Sequence, residues 1–189
     1  MVSLICQLIS SRHSITSIRI TLAVAKLAKN QLEQKGFKDV LTREQEITVP
    51  LADRVKLFNG IKDAFVISLH FNSGKKEASG YETYVRSARQ LHPANNASLA
   101  LATAVHGRSL MFLNNAKYGN DFKINDRGIR RARFRLLKDS KHPAILIEAG
   151  FLSNKAEAAK ISTEAYQKAL ADSITRGIDV YQASLKVKN

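Results

Sequence analysis

The fold that this sequence predicts is a single α/β domain with a central, mostly parallel sheet flanked by helices, and two patterns support it. Segments with helical spacing of apolar residues alternate along the chain with segments of strand length. Two of the strand-length segments are apolar almost throughout, as strands are when helices cover both faces of a parallel sheet. The chain has 189 residues, 44% of them hydrophobic, which suits one domain with a full core.

The expected elements follow in a regular order. A first helix is indicated by Ile20, Val24 and Ala28 on one face, with Gly36 as a C-terminal cap. The two fully apolar strands cover 64–69 and 143–147. The other expected elements are a strand at 37–42, a helix at 51–61, a weaker strand at 80–85, a helix at 97–113 and an amphipathic helix at 162–184.

The first 19 residues show a less regular pattern. Residues 2–9 are apolar, and we expect them either to pack loosely or to take the place of a strand. Residues 11–17 lack a sustained apolar period, so we expect little regular structure there. No positive charge precedes the apolar start and no small-residue cleavage site follows it, so it makes a weak signal peptide. No apolar run approaches the ~20 residues that a membrane-spanning helix needs.

Two strands of the predicted sheet end in residues that can perform chemistry. His70 follows the first apolar strand and Glu148 follows the second. An imidazole can hold zinc, and a nearby carboxylate can take a proton from the water bound to that metal. Taken separately, each residue has a commoner explanation, because strand-end histidines are often structural and strand-end glutamates often form salt bridges. The residues around them favour the functional interpretation.

Both strand ends carry longer motifs. Residues 68–72 read Ser-Leu-His-Phe-Asn, and residues 148–154 read Glu-Ala-Gly-Phe-Leu-Ser-Asn. These segments resemble the zinc-ligand and catalytic-glutamate segments of the zinc-dependent N-acetylmuramoyl-L-alanine amidases, the type 3 amidases of peptidoglycan. Further matches come in the order of that family, at 41–43, 51–54, Asn59, 80–84 and 127–129. The resemblance covers the chain from about residue 20 to the C-terminal helix.

The resemblance implies a function and a site. The implied reaction is zinc-dependent hydrolysis of the amide between N-acetylmuramic acid and L-alanine in peptidoglycan. In that reaction His70 is a zinc ligand, and Glu148 is the catalytic residue, acting as general base and then as acid. The implied location is periplasmic or extracellular. Peptidoglycan is the implied partner. Separately, the positive charge of the chain makes anionic wall polymers a further candidate partner.

The start of the chain departs from the family pattern. The family opens with an Asp-x-Gly-His-Gly-Gly turn that carries one zinc ligand, and no glycine precedes Gly36 here. A glutamate ahead of the first helix supplies another ligand, and Ser17 aligns with it. His13 is the one imidazole upstream of the helix, and it lies too close to that helix for the usual position. We therefore expect weak zinc binding and impaired hydrolysis. The predicted organisation is a degenerate segment at 1–19 and an amidase-like catalytic domain at 20–185.

Several alternatives remain open. The altered start is consistent with truncation, a frame shift or genuine divergence. The second functional hypothesis is a catalytically inactive homologue that binds the cell wall. The chain has 30 Lys and Arg against 16 Asp and Glu, a net charge of +14, which fits an anionic wall and also nucleic acid. The basic stretch 127–135 is first of all a solvated strand or loop edge, and the second interpretation is a patch that holds an anionic wall polymer near the cleft. Nucleic-acid binding ranks last, because aromatic residues make up 7% of the chain and tryptophan is absent.

Overall fold

The computed structural model describes residues 2–7, 15–87 and 94–186, and for residues 2–7 and 15–16 it describes the backbone alone. The strands are β1 (Val2–Gln7), β2 (Lys38–Leu41), β3 (Ala64–Asn72), β4 (Tyr81–Arg86), β5 (Asp126–Ala132) and β6 (Ala144–Phe151). The helices are α1 (Ile15–Gln34), α2 (Leu51–Asn59), α3 (Ala94–Leu113), α4 (Arg135–Asp139), α5 (Lys155–Ile161) and α6 (Glu164–Lys186). A single 3₁₀ turn covers Ala116–Tyr118.

The described strands form one six-stranded sheet in the order β2-β1-β3-β6-β4-β5. Neighbours are parallel throughout this sheet except at β6 and β4, which pair antiparallel. The strands β4 and β5 therefore run against the other four. This arrangement confirms the predicted α/β domain with a mostly parallel sheet flanked by helices.

Each face of the sheet is covered by its own group of helices. Helices α1, α3 and α6 pack on one face, where alternate residues of β3 such as Phe65, Ile67 and Leu69 enter the larger core. Helices α2 and α4 lie on the other face over a smaller core that contains Val66 and Leu146. Because both faces are covered, β3 and β6 are apolar on both sides, as their sequences predict.

The N-terminal part is more regular than the sequence predicts. Strand β1 lies between β2 and β3 and is parallel to both, so the backbone of this segment takes the place of a strand. Helix α1 begins at Ile15 and runs without a break across residues 19 and 20. The expectation of little regular structure at 11–17 is therefore wrong for Ile15–Ser17, and residues 11–14 lie outside the described part.

Polar contacts explain why apolar spacing missed the start of α1. The Thr21 hydroxyl donates to the Ser17 carbonyl at 2.8 Å, and Arg43 donates to the Ile18 carbonyl at 2.7 Å. Ser17 and Thr21 are both buried. Small polar side chains and an arginine, rather than apolar residues, make the contacts of the first turn. The sequence therefore shows no apolar period there.

Candidate active-site cleft

His70 and Glu148 lie side by side on the two central strands. They are register partners in the parallel pair of β3 and β6, so their side chains project from the same face of the sheet. Neighbouring strands are about 4.8 Å apart, which brings an imidazole and a carboxylate within reach of one small ligand. The two residues continue the face that carries Val66 and Leu146, beyond the point where the smaller core ends.

The position of this pair follows from the strand pattern. Residues at every second position of β3 and β6 share a face, so apolar residues of the smaller core lead directly to His70 and Glu148 at the carboxyl ends of their strands. In open α/β sheets, ligands bind outside these carboxyl ends. The same face of the sheet is therefore apolar at the smaller core and carries the candidate site residues nearer the carboxyl ends of the strands.

The His70 ring is held close to the sheet. The residue is buried, and its Nε2 lies 3.1 Å from the Ser68 hydroxyl, which is two residues earlier on the same face. Its burial at the sheet edge and its place beside Glu148 fit a group that faces a ligand. The chemistry of an imidazole there is to coordinate a metal or to exchange a proton.

Glu148 is an ionisable group in a poorly solvated position. Its Oε2 atom is buried and has no hydrogen-bond partner among the described residues. Burial raises the pKa of Glu148 to about 8, and the negative charge of Glu82 contributes to the increase. Both effects favour the protonated form of Glu148, which is the form that can donate a proton.

Glu82 is a member of the cleft that sequence reasoning missed. It is the register partner of Glu148 on the antiparallel neighbour β4 and is 1% exposed. Its Oε1 accepts hydrogen bonds from Asn72 Nδ2 at 2.7 Å and from the Tyr84 hydroxyl at 3.0 Å. Its Oε2 lies 3.0 Å from Arg127 Nε and 3.3 Å from Arg130 Nε. The resemblance of residues 80–84 to the family could have pointed to Glu82. The pairing of β4 with β6, which places Glu82 beside Glu148, has no signal in the sequence.

The loop after Glu148 is fixed by a second buried carboxylate. Glu157 accepts hydrogen bonds from the Gly80 and Phe151 amides, each at 2.7 Å. Gly150 precedes Phe151 with φ +116°, where a side chain would meet Ile161 at 2.9 Å. Asn154 caps helix α5 by accepting from the amides of its first turn. These contacts hold the segment 149–157 in one conformation beside the cleft.

The described residues do not fit a catalytic zinc ion. Such an ion takes three protein ligands and leaves a position for water. Within 15–87 and 94–186, no three His, Cys, Asp or Glu side chains converge in a way that could hold a metal. Ser17, which the sequence predicts in place of a family ligand, offers a neutral hydroxyl. Both oxygens of Glu82 already accept hydrogen bonds, and Oε2 also forms an ion pair with Arg130. His13 lies outside the described residues.

Two further properties bear on the partners of the cleft. The net charge of the chain is +14, and the edge strand β5 carries Arg127, Arg130 and Arg131 on a largely exposed ribbon. Among the described helices, none is long and apolar enough to cross a membrane.

Comparison with known proteins gives one consistent answer. The family model described as N-acetylmuramoyl-L-alanine amidase matches residues 9–180. The protein YqiI of Bacillus subtilis (strain 168) is 31% identical over 162 residues, which are 86% of this chain and 72% of that protein. The amidase LytC of the same organism is 26% identical over 86% of this chain, which spans 30% of the length of LytC. The crystal structure of an N-acetylmuramoyl-L-alanine amidase from Clostridium difficile 630 superposes with a TM-score of 0.80 at 29% identity, covering 97% of each chain.

Proposed function

The chain belongs to the N-acetylmuramoyl-L-alanine amidase family, and from this membership we propose that its cleft binds peptidoglycan at the amide between N-acetylmuramic acid and L-alanine, with hydrolysis impaired in this chain. The observation that carries the proposal is the register pairing of His70 with Glu148 at the carboxyl edge of the sheet. Glu148 is the proposed proton-transfer residue. Because peptidoglycan lies outside the cytoplasmic membrane, the proposed site of action is periplasmic or extracellular.

The proposed role of Glu148 follows from its surroundings. Hydrolysis of an amide requires a proton on the leaving nitrogen, and a carboxyl group whose pKa is about 8 carries that proton at neutral pH. The same protonation weakens Glu148 as a base toward water.

The proposed impairment has a separate physical reason. The family is generally zinc-dependent, and His70 is the single described residue that has the residue type of a family zinc ligand at that ligand's position. One imidazole holds zinc weakly, since catalytic sites use three protein ligands. We therefore propose weak zinc binding and slow turnover, while the surface that recognises peptidoglycan is retained.

A second candidate function is a wall-binding homologue without catalytic activity. The incomplete ligand set favours it, and the net charge of +14 suits binding to an anionic wall. It differs from the first proposal in one measurable respect, because it releases no stem peptide at all.

Purified murein sacculi separate these possibilities. The chain is expected to sediment with sacculi, and any release of stem peptides is expected to be slow and to disappear in Glu148→Gln. Glu164→Gln is the matched control, since Glu164 is exposed at the start of α6, away from the cleft. Failure to sediment with sacculi, or a strong and steeply salt-dependent preference for DNA or RNA, would overturn the proposal.

A further inference from the structure

We propose that Arg127 and Arg130, held in place by Glu82, form a subsite that binds a carboxylate of the peptidoglycan stem peptide next to the amide at Glu148. This inference rests on the proposed function and assigns a binding role to residues of β5 that neither the ligand pattern nor the catalytic motif includes. It concerns recognition of the substrate, so it holds whether or not the chain turns that substrate over.

The two arginines are positioned by a bulge in the edge strand. The register between β4 and β5 shifts between Tyr81 and Thr83, so β5 presents additional residues opposite Glu82. Gly128 lies in this irregular part with φ +83°, a conformation that favours glycine. The bulge brings both Arg127 and Arg130 within reach of the same Glu82 oxygen, Oε2.

Arg127 is rigid before any ligand arrives. Its Nε contacts Glu82 at 3.0 Å, and its guanidinium carbon lies 4.9 Å from the centre of the Phe151 ring. Its aliphatic part covers Gly80, where an added Cβ would lie 2.9 Å from the Arg127 Cγ. A side chain fixed on three sides loses little further entropy when it binds an anion.

The charges of this cluster do not balance. Glu82 supplies one negative charge to two guanidinium groups. It accepts hydrogen bonds from Asn72, Tyr84 and Arg127. The Arg130 Nε donates a hydrogen bond to the Arg127 carbonyl and forms an ion pair with Glu82. No hydrogen-bond partner for its two terminal nitrogens occurs among the described residues. One positive charge and several donors are thus left for an external anion.

The location favours a stem-peptide carboxylate over a phosphate of a separate wall polymer. Glu82 is the register partner of Glu148, so the arginines that contact it lie one strand away from the proposed proton-transfer residue. Phe151, which stacks under Arg127, belongs to the strand that carries Glu148. A substrate whose scissile amide lies at Glu148 therefore has neighbouring groups within reach of the two guanidinium groups, and the stem peptide is the part that carries carboxylates. Guanidinium groups bind carboxylates through paired, charge-assisted hydrogen bonds.

The test compares two muramoyl tripeptides that differ in one group. One carries a free α-carboxylate on the residue after L-alanine, and the other carries the carboxamide at that position. Calorimetric titration in the presence of a chelator measures binding without turnover. The wild-type chain is expected to bind the carboxylate form at least roughly tenfold more tightly, as one charge-assisted pair provides.

Variants assign the preference to the two arginines. Arg130→Gln, at a half-exposed position that tolerates substitution, is expected to reduce the preference to about twofold or less. Arg127→Gln is expected to do the same, with circular dichroism to verify its fold. Arg135→Gln is the control, because Arg135 carries the same charge and contacts Asp139 on its own helix. It is expected to retain the full preference.

The other outcomes are distinguishable. Equal binding of the two tripeptides by the wild-type chain would overturn this inference and leave the proposed function in place. Absence of binding to either tripeptide would overturn the proposed function together with the inference. An Arg130-dependent affinity for a poly(glycerol phosphate), without discrimination between the tripeptides, would assign the subsite to a wall polymer and overturn the inference.

Discussion

Glu82 on β4 and Glu148 on β6 are register partners, so two carboxyl groups lie side by side across the antiparallel contact of the sheet. Their surroundings differ. Glu82 contacts two arginines, whereas Glu148 has a buried oxygen without a described partner. Glu82 is therefore held by ion pairs with two arginines, whereas burial raises the pKa of Glu148 and favours its protonated form.

Glu148→Gln is expected to stabilise the fold, and to do so more strongly as the pH rises. The pKa of Glu148 is about 8 in the folded chain against an ordinary 4.5, so between these values the folded state binds more protons than the unfolded chain. The stability of the wild-type chain therefore falls as the pH rises through this window and levels off above it. Glutamine removes that loss.

Thermal unfolding in a chelating buffer measures this effect. The variant is expected to gain roughly 1–4 kcal/mol over the wild-type chain on going from about pH 5 to about pH 8, since one pKa unit corresponds to about 1.4 kcal/mol. Glu164→Gln controls for the loss of a carboxylate and is expected to show no such dependence. A Glu148→Gln difference that is the same at both pH values would contradict the assignment.

Gly177→Ala is expected to destabilise the contact between α3 and α6. A Cβ at residue 177 would lie 2.4 Å from the Val105 Cα, and backbone atoms cannot move aside as a flexible side chain can. Overpacking of this kind costs about 1–3 kcal/mol. Gly107→Ala, in the interior of α3 with nothing within 4 Å of the new Cβ, is the matched control. It is expected to stabilise by about 0.5–1 kcal/mol in chemical denaturation, through helix propensity alone. Equal effects of the two variants would contradict the packing described here.

Glu157→Gln is expected to destabilise the chain by about 1–3 kcal/mol, because glutamine offers one acceptor oxygen where two backbone amides now donate. The segment after Glu148 loses one of these two hydrogen bonds in this variant, so binding to sacculi is expected to weaken as well. Chemical denaturation and sedimentation with sacculi measure the two effects. Unchanged stability would contradict a structural role for the Glu157 carboxylate.

The sequence predicts the centre of this fold well, for a physical reason. Strands β3 and β6 are buried on both faces, so their residues are apolar almost throughout, and the first ionisable residue of each lies near its carboxyl end. His70 and Glu148 could be identified because they interrupt these runs at the edge where ligands bind. The parallel register that sets them side by side agrees with this reasoning.

The remainder of the cleft depends on contacts between distant segments. Glu82 and Arg127 are 45 positions apart, and their contact requires the parallel pairing of β4 with β5 and the bulge near Gly128. Neither feature produces a periodic pattern along the chain. The stretch 127–135 could be identified as a basic strand edge, but the carboxylate that organises it could not.

Zinc content is the measurement that tests the central claim most directly. The chain is purified without added metal, incubated with excess zinc, passed over a desalting column and measured by elemental analysis, with His70→Ala in parallel. We predict clearly less than one zinc ion per chain, because His70 is the single described match to a family ligand and three protein ligands are the norm for a catalytic site. One zinc ion per chain, lost in His70→Ala and accompanied by Glu148-dependent release of stem peptides from sacculi, would contradict the account.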